Sequence, residues 1–173
     1  PVLVFLSAQA AGKISNRTYV GAALVELLHT ATLIHDDVVD EASERRGLAS
    51  INAKWNNKIA VLIGDFLLAK GLLSAIDAGE MGFLNVSSKA VRRMSEGELL
   101  SIDKARNLSV DEDIYFQIIA DKTASLLSAC CEIGAMSTND NPEYHEAMAQ
   151  YGEAIGIAFQ IRDDIFDFTS RSS

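Results

Sequence analysis

The chain has 173 residues, 49% of them hydrophobic and only two of them proline, which is enough apolar material for the core of one domain and excludes a disordered or low-complexity protein. A formal charge of -9, from 24 acidic and 15 basic residues, disfavours nucleic acid as a partner, because the bases form no stripe and Arg92 and Arg93 stand as an isolated pair. The only cysteines, Cys130 and Cys131, are adjacent, which makes neither a disulfide framework nor a zinc set and points to a reducing compartment, the cytoplasm.

Apolar residues recur at spacings of three and four rather than two, so helices are expected throughout and no strand. The opening run PVLVFLSAQAAG reads as a helix over residues 1 to 11 already under way. Because it starts at Pro1 without an initiator methionine, and the chain stops at FTSRSS, the sequence reads as a piece of a longer protein. A second helix is expected over 16 to 42 and carries HTATLIHDDVVDEASERRG. A third, over 56 to 77, contains IAVLIGDFLLA, where Asp65 interrupts the apolar run. With no charged-then-apolar leader either, no transmembrane segment is expected.

The fourth helix is expected over 83 to 106 and the fifth over 110 to 136, with Ser109 as its cap and Asp111, Glu112 and Asp113 in its positive first turn. STNDNP is a turn cluster ending at Pro142, which suits the start of a last helix over 143 to 169. Gly152 and Gly156, four apart on that helix, cost propensity but permit close approach of a neighbour or ligand. Long helices that are apolar on more than one face describe the interior of a large bundle, so the fold class is all-α and residues 1–173 belong to one domain.

One motif recurs. Asp36, Asp37 and Asp40 have the D-D-x-x-D spacing, and Asp163, Asp164 and Asp167 in AFQIRDDIFD repeat it on the last helix. On a helix the first and last members project from one face, with the middle one rotated by about 100°. Each cluster can therefore offer two carboxylates to one object. Phe159, Ile165 and Phe166 are expected to pack around the second cluster.

All these donors are oxygen, with no cysteine or histidine at ligand spacing, so Mg²⁺ is favoured over zinc or copper, and Ca²⁺ lacks its loop. A di-iron bundle needs Glu-x-x-His on each of two helices. Glu26 to His29 supplies one and there is no second, so His29 reads as a core or supporting residue, while His35 either supports the aspartates or fills space.

Mg²⁺ keeps open positions for substrate phosphates. A diphosphate bridging the two clusters through metal would still need fixed cations. Arg45 and Arg46 can provide forked donors and Lys122 a point charge. The plainer alternative is that both arginines offset Glu41 and Glu44 near a helix end, with Gly47 as the stop.

The chain resembles the trans-isoprenyl diphosphate synthases, the polyprenyl synthase family, over nearly its whole length. HDDVVDEASERRG resembles the first aspartate-rich motif and its trailing arginines, GDFLLAK the central helix, DKTASLLSACCEIGA the Lys-Thr helix, and GIAFQIRDDIFD the second aspartate-rich motif. The family's basic segment before Pro1 and the lysine-bearing loop after the last helix are absent. The expected fold is thus an incomplete portion of an isoprenoid synthase bundle with a central cavity, and this chain alone is expected to be catalytically incomplete.

The resemblance implies a Mg²⁺-dependent head-to-tail condensation of isopentenyl diphosphate with an allylic diphosphate. Asp36, Asp40 and Asp163, with Asp37, Asp164 and Asp167, would hold several metal ions, assisted by Arg45, Lys122 and Gln160, while Arg46 would reach isopentenyl diphosphate. Thr123 and Gln160 would present dipoles near the allylic cation, and the departed diphosphate would accept the proton. A homodimer is the family's habit.

Ala31 and Thr32 lie one helical turn, about 5.4 Å, before Asp36, roughly one isoprene unit. In short-chain members an aromatic residue there resembles a floor that stops elongation. Here both are small, and Leu28 and Leu24 come on the next turns, so a long-chain trans-polyprenyl product is expected. The alternatives are a farnesyl or geranylgeranyl product, with a bulky residue of another helix setting the floor, or a non-catalytic subunit of a heteromeric synthase. The doubled motif and the Arg45–Arg46 pair argue against terpene cyclases and squalene-type synthases.

Overall fold

The computed structural model describes residues 1–107 and 111–170. Helix α1 (Val2–Ala11) lies along a later helix, and α2 (Asn16–Val39) begins where the Thr18 hydroxyl accepts from the Ser15 N–H at 3.2 Å. A hairpin of two-residue strands, β1 (Glu44–Arg45) and β2 (Leu48–Ala49), and a short turn of helix, α3 (Ile51–Lys54), lead into α4 (Asn57–Asp77). Then follow α5 (Met81–Asn107), α6 (Glu112–Ile119), a π-helical turn over Ala120–Ala124, α7 (Ser125–Met136) and α8 (Pro142–Ser170).

The α-helical class holds. The core sits where α2, α5 and α7 meet, with Leu24, Leu28, Phe83, Ile133 and Val4 essentially excluded from solvent. α2 packs along α4, and α7 packs against α1 and α8. Gly152 and Gly156 explain how α8 comes so close, since a Cβ at Gly152 would stand 2.6 Å from the Leu127 carbonyl oxygen and one at Gly156 2.5 Å from Ala124 Cα. The small-residue face thus receives a neighbouring helix.

Several details differ from the sequence expectations. The second helix ends at Val39 rather than 42, and a hairpin follows where no strand was expected. Periodicity does not reveal strands this short, because their support comes from the ends. Ser50 Oγ donates to the Ala42 carbonyl at 2.7 Å, and Asn52 Nδ2 donates to the carbonyls of Asp37 and Ala42. The turn residues Arg46 and Gly47 both have positive φ, 53° and 78°, as a primed two-residue turn requires. Gly47 therefore turns a hairpin and does not stop a helix.

The single helix expected over 110 to 136 is divided by the π turn. Its proposed cap, Ser109, lies outside the described residues, and Asp111 caps α6 by accepting from the Ile114 N–H at 2.8 Å. Phe159, Ile165 and Phe166, expected to be packed, are exposed in this chain. The judgement about Asp65 also needs correcting, because α4 is long and apolar enough by length and composition to cross a membrane. Two acids, Asp65 and the terminal Asp77, still leave an apolar window within the 21 residues, and in this fold α4 instead packs one face on α2.

Candidate active site

The two aspartate-rich motifs sit on α2 and α8, and the π turn lies between them. Asp36 is half-buried, and its carboxylate makes no hydrogen bond or ion pair among the described residues. Burial, and after it the charge of Glu98 on α5, pushes its pKa up, against the pull of Lys122 and Arg45. A desolvated carboxylate facing like charge is a site that a cation would relieve. Asp40, the C-cap of α2, is exposed.

Asp37 is placed differently. It is 5% exposed and is held by Arg45, whose Nε and Nη2 lie 2.7 and 2.6 Å from the same carboxylate oxygen. That bond is the main cause of the raised pKa of Arg45. The pair ties β1 to the end of α2, so in this structure Arg45 engages an aspartate of the motif itself. Arg46, next along at the hairpin turn, lines a cavity of about 470 Å³ bounded also by Pro1, Glu26, His29, Leu33 and Leu126.

His29 deserves a place in the site that its sequence context did not suggest. Its Nδ1 is buried without a hydrogen-bond partner, and burial pulls its pKa down, with Arg46 adding to the effect. That nitrogen is sealed from solvent, while other atoms of His29 line the cavity shared with Arg46. The Glu-x-x-His spacing drew attention to His29 for iron and so obscured this. His35 instead lies against α4, its Nε2 3.3 Å from the Val61 carbonyl and 3.4 Å from Asp65.

On the other side of the π turn, Thr123 Oγ1 donates to Gln160 Oε1 at 2.9 Å, and Gln160 Nε2 donates to Asp164 Oδ1 at 2.8 Å. The second oxygen of Asp164 accepts from the Tyr115 hydroxyl at 2.7 Å, a bond that holds the phenol's pKa up at about 12. Tyr115 on α6 is a second residue that motif reasoning missed, because it belongs to neither acidic cluster. Asp163 contacts Arg162 at 3.2 Å, and Asp167 is exposed on the outer part of α8.

Lys122, beside Thr123, is 2.5 Å from Glu98. Thr123, Gln160 and Asp164 thus form one bonded series, and Lys122, next to Thr123 in the chain, exerts its charge on Asp36 with no ion pair to it among the described residues. No three His, Cys, Asp or Glu side chains among the described residues are close enough to hold a metal by themselves. The all-oxygen donor set still suits Mg²⁺, which rarely takes an all-protein cage and completes its shell with water and phosphate oxygens.

Of the residues assigned to product length, Leu28 and Ala31 are 1% and 2% exposed and face the core. Thr32 donates its hydroxyl to the His29 carbonyl at 2.9 Å. The open cavity runs along the neighbouring stripe of α2, through Val25, His29 and Leu33.

A family model described as Polyprenyl synthetase matches residues 1–173. The chain belongs to the polyprenyl synthetase family. Over 171 residues this polyprenyl synthetase chain is 43% identical to the all-trans-nonaprenyl-diphosphate synthase (geranyl-diphosphate specific) of Rhodobacter capsulatus, covering 98% of this chain and 52% of the relative. It is 37% identical over 170 residues to the octaprenyl diphosphate synthase of Escherichia coli K12, covering 98% and 53%. The polyprenyl synthase of Caulobacter crescentus CB15, solved in complex with calcium and isoprenyl diphosphate, superposes with a TM-score of 0.92 at 37% identity, over 98% of this chain and 52% of that one. The chain thus spans about half the length of the relatives it matches, and its isoprenoid-synthase fold is shared with them.

Proposed function

We propose that the protein containing this chain is a prenyltransferase that condenses isopentenyl diphosphate with an allylic diphosphate, head to tail, to make a long-chain trans-polyprenyl diphosphate. The chain is part of its single helical domain. The observation that carries this reading is the bonded series Thr123–Gln160–Asp164, which ties the π turn to the second acidic motif, with Lys122 of the same turn placing its charge on Asp36 of the first. It sets one lysine and two dipoles between two acidic motifs, as a diphosphate with a departing hydrocarbon group requires.

Asp36, Asp40 and Asp163 would hold Mg²⁺. When bound, the ions would stabilise the negative charge that develops on the leaving diphosphate. Asp37 and Asp164 each have a structural task as well: Asp37 fixes Arg45 and the hairpin, and Asp164 orients Gln160. Lys122 adds a cation to the allylic diphosphate. Thr123 and Gln160 turn their oxygens toward the allylic cation left when the C–O bond breaks. Arg46 and His29, sharing one cavity, bind isopentenyl diphosphate, whose double bond attacks that cation before a proton passes to the departed diphosphate. Water must be kept out while the cation lives, and the placement of Thr123 and Gln160 within a helical bundle serves that end.

A long product is supported by the small side chains at Ala31 and Thr32 and by the names of the two relatives. The exposed apolar stripe of α4, with Leu62, Phe66 and Leu73 more than half exposed, is the surface we assign to a homodimer contact. A cytoplasmic location agrees with two buried free cysteines.

The test is to supply farnesyl and isopentenyl diphosphates with Mg²⁺ to the full-length protein alone and to chromatograph the products. A ladder ending at a long prenyl chain is expected, and Ala31→Phe should shorten it. No condensation product would sink the self-sufficient enzyme in favour of a subunit of a heteromeric synthase. An unchanged length in a folded Ala31→Phe variant would remove Ala31 from the wall of the chain tunnel.

A further inference from the structure

Helix α5 contributes nothing to either acidic motif, yet three of its residues close on the π turn. Arg93 donates through Nε to Asp121 at 2.7 Å and through Nη2 to Glu153 of α8 at 2.8 Å. One turn later Gly97 lets the two backbones touch, since a Cβ there would lie 2.9 Å from both the Lys122 nitrogen and Asp121 Cβ. Glu98 follows, its carboxylate 2.5 Å from Lys122 Nζ, and its charge is the strongest that raises the pKa of Asp36. Glu98 therefore faces the same space as the first acidic motif while paired with the lysine of the central turn. Neither side chain is deeply buried: Lys122 is 44% exposed and Glu98 24%, so the pair can open.

We propose that Glu98 is a positioning residue that holds the Lys122 ammonium at the mouth of the site until a diphosphate arrives and takes the lysine from it. The proposal rests on the prenyltransferase reading, in which Lys122 binds diphosphate. Arg93 and Gly97 fix the backbone of the turn, so that Lys122 can change partners by side-chain rotation alone. An ammonium has three donors and a flexible stem, which suits such an exchange better than the planar fork of arginine. Glu98 keeps Lys122 ordered in the absence of substrate, and it opposes diphosphate twice: as a competitor for Lys122 and as a negative charge beside Asp36. Release of product diphosphate is then helped by a carboxylate waiting to reclaim the lysine.

The experiment is a double-mutant cycle in the full-length protein, with inorganic diphosphate and saturating Mg²⁺ as the probe and calorimetry as the readout. Glu98→Gln should tighten diphosphate binding roughly three- to tenfold, as expected for removing one partly screened charge contact. In a Lys122→Met background the same substitution should tighten binding clearly less, because only the charge beside Asp36 is then removed. In steady state Glu98→Gln should lower KM for the allylic substrate together with kcat, because product leaves slowly. A residue that merely supported the fold would not improve binding. Unchanged or weaker binding in Glu98→Gln, or equal tightening with Lys122→Met present, would overturn the proposal. If the Gln variant does not fold, Glu98→Asp, whose carboxylate is retracted by one carbon, should move binding in the same direction. An unsubstituted protein that does not bind Mg²⁺-diphosphate would overturn this proposal and the prenyltransferase reading together.

Discussion

Asp36 and Asp37 are neighbours in sequence and about 100° apart on the helix, and their surroundings give them opposite energetics. The Asp36 charge is penalised by burial and by Glu98, whereas the Asp37 charge is matched by two short contacts to Arg45. Asp36→Asn should leave the thermal stability of the metal-free full-length protein equal or higher, while abolishing turnover when Mg²⁺ is supplied. Asp37→Asn should lower stability by about 1.5–3 kcal/mol, the usual worth of a hydrogen bond to a charged group, read as a shift in denaturant midpoint. Marked unfolding of the Asp36 variant would contradict its assignment as a metal ligand. Asn56 offers a second test. Its φ of 128° with ψ of 167° lies in a region that only glycine enters freely, while its side chain accepts from the Ile59 N–H at 3.1 Å. Relief of that strain outweighs the few tenths lost from the cap and the added unfolded-state entropy, so Asn56→Gly should stabilise the protein by about 1 kcal/mol in urea unfolding.

The long helices were legible because their apolar spacing is sustained over many turns, and the turn at STNDNP because Pro142 can only begin a helix there. The hairpin and the π turn were not, since neither depends on local pattern. The hairpin hangs on Arg45, Ser50 and Asn52 reaching back to α2 and its end, and the π turn is pressed from both sides by Gly97 and Gly156. The acidic motifs stood out by repetition, whereas the division of labour within each depends on partners distant in sequence: Arg45 for Asp37, Tyr115 for Asp164. Glu98 carried no signal because a lone glutamate on a polar-faced helix is ordinary. α7 supplies a pH prediction. Burial pushes the Cys130 thiol from its ordinary 9 up to about 12, so the folded state favours the neutral thiol. A raised pKa gives stability that is fully present below pH 9 and is lost as pH rises through about 12. Compared with Cys130→Ala, the unsubstituted protein should therefore lose more thermal stability between pH 7.5 and pH 10.5.

At the scale of the molecule, half of a bundle leaves surfaces that need cover. One such surface is the stripe on α4, with Ile59, Leu62, Phe66 and Leu73 spaced to share one side of the helix. A homodimer through this face predicts that Leu62→Glu with Phe66→Glu in the full-length protein halves the mass measured by light scattering. The dimer contact is misplaced if the doubly substituted protein keeps the mass of the original. The same helix could by composition enter a bilayer but in this fold flanks a bundle: one side meets α2, and the apolar stripe lies on the exposed side.

The π turn has a consequence for insertions and deletions. A π-helical turn carries one residue more than the α-helix needs, so the segment from α6 into α7 is held out of phase with an unbroken helix. Deleting one residue from a helix is ordinarily among the most disruptive of changes. Here, removal of Ala120 would let the backbone relax into a regular α-helix with α6 and α7 near their present phase, because the π turn already absorbs the surplus residue, and the cost would fall on the turn itself, where Lys122 and Thr123 would lose their present aim. The surplus residue sets the aim of the turn, and a length variant of this segment would register as a folded protein in which Tyr115 still meets Asp164 while Thr123 no longer meets Gln160.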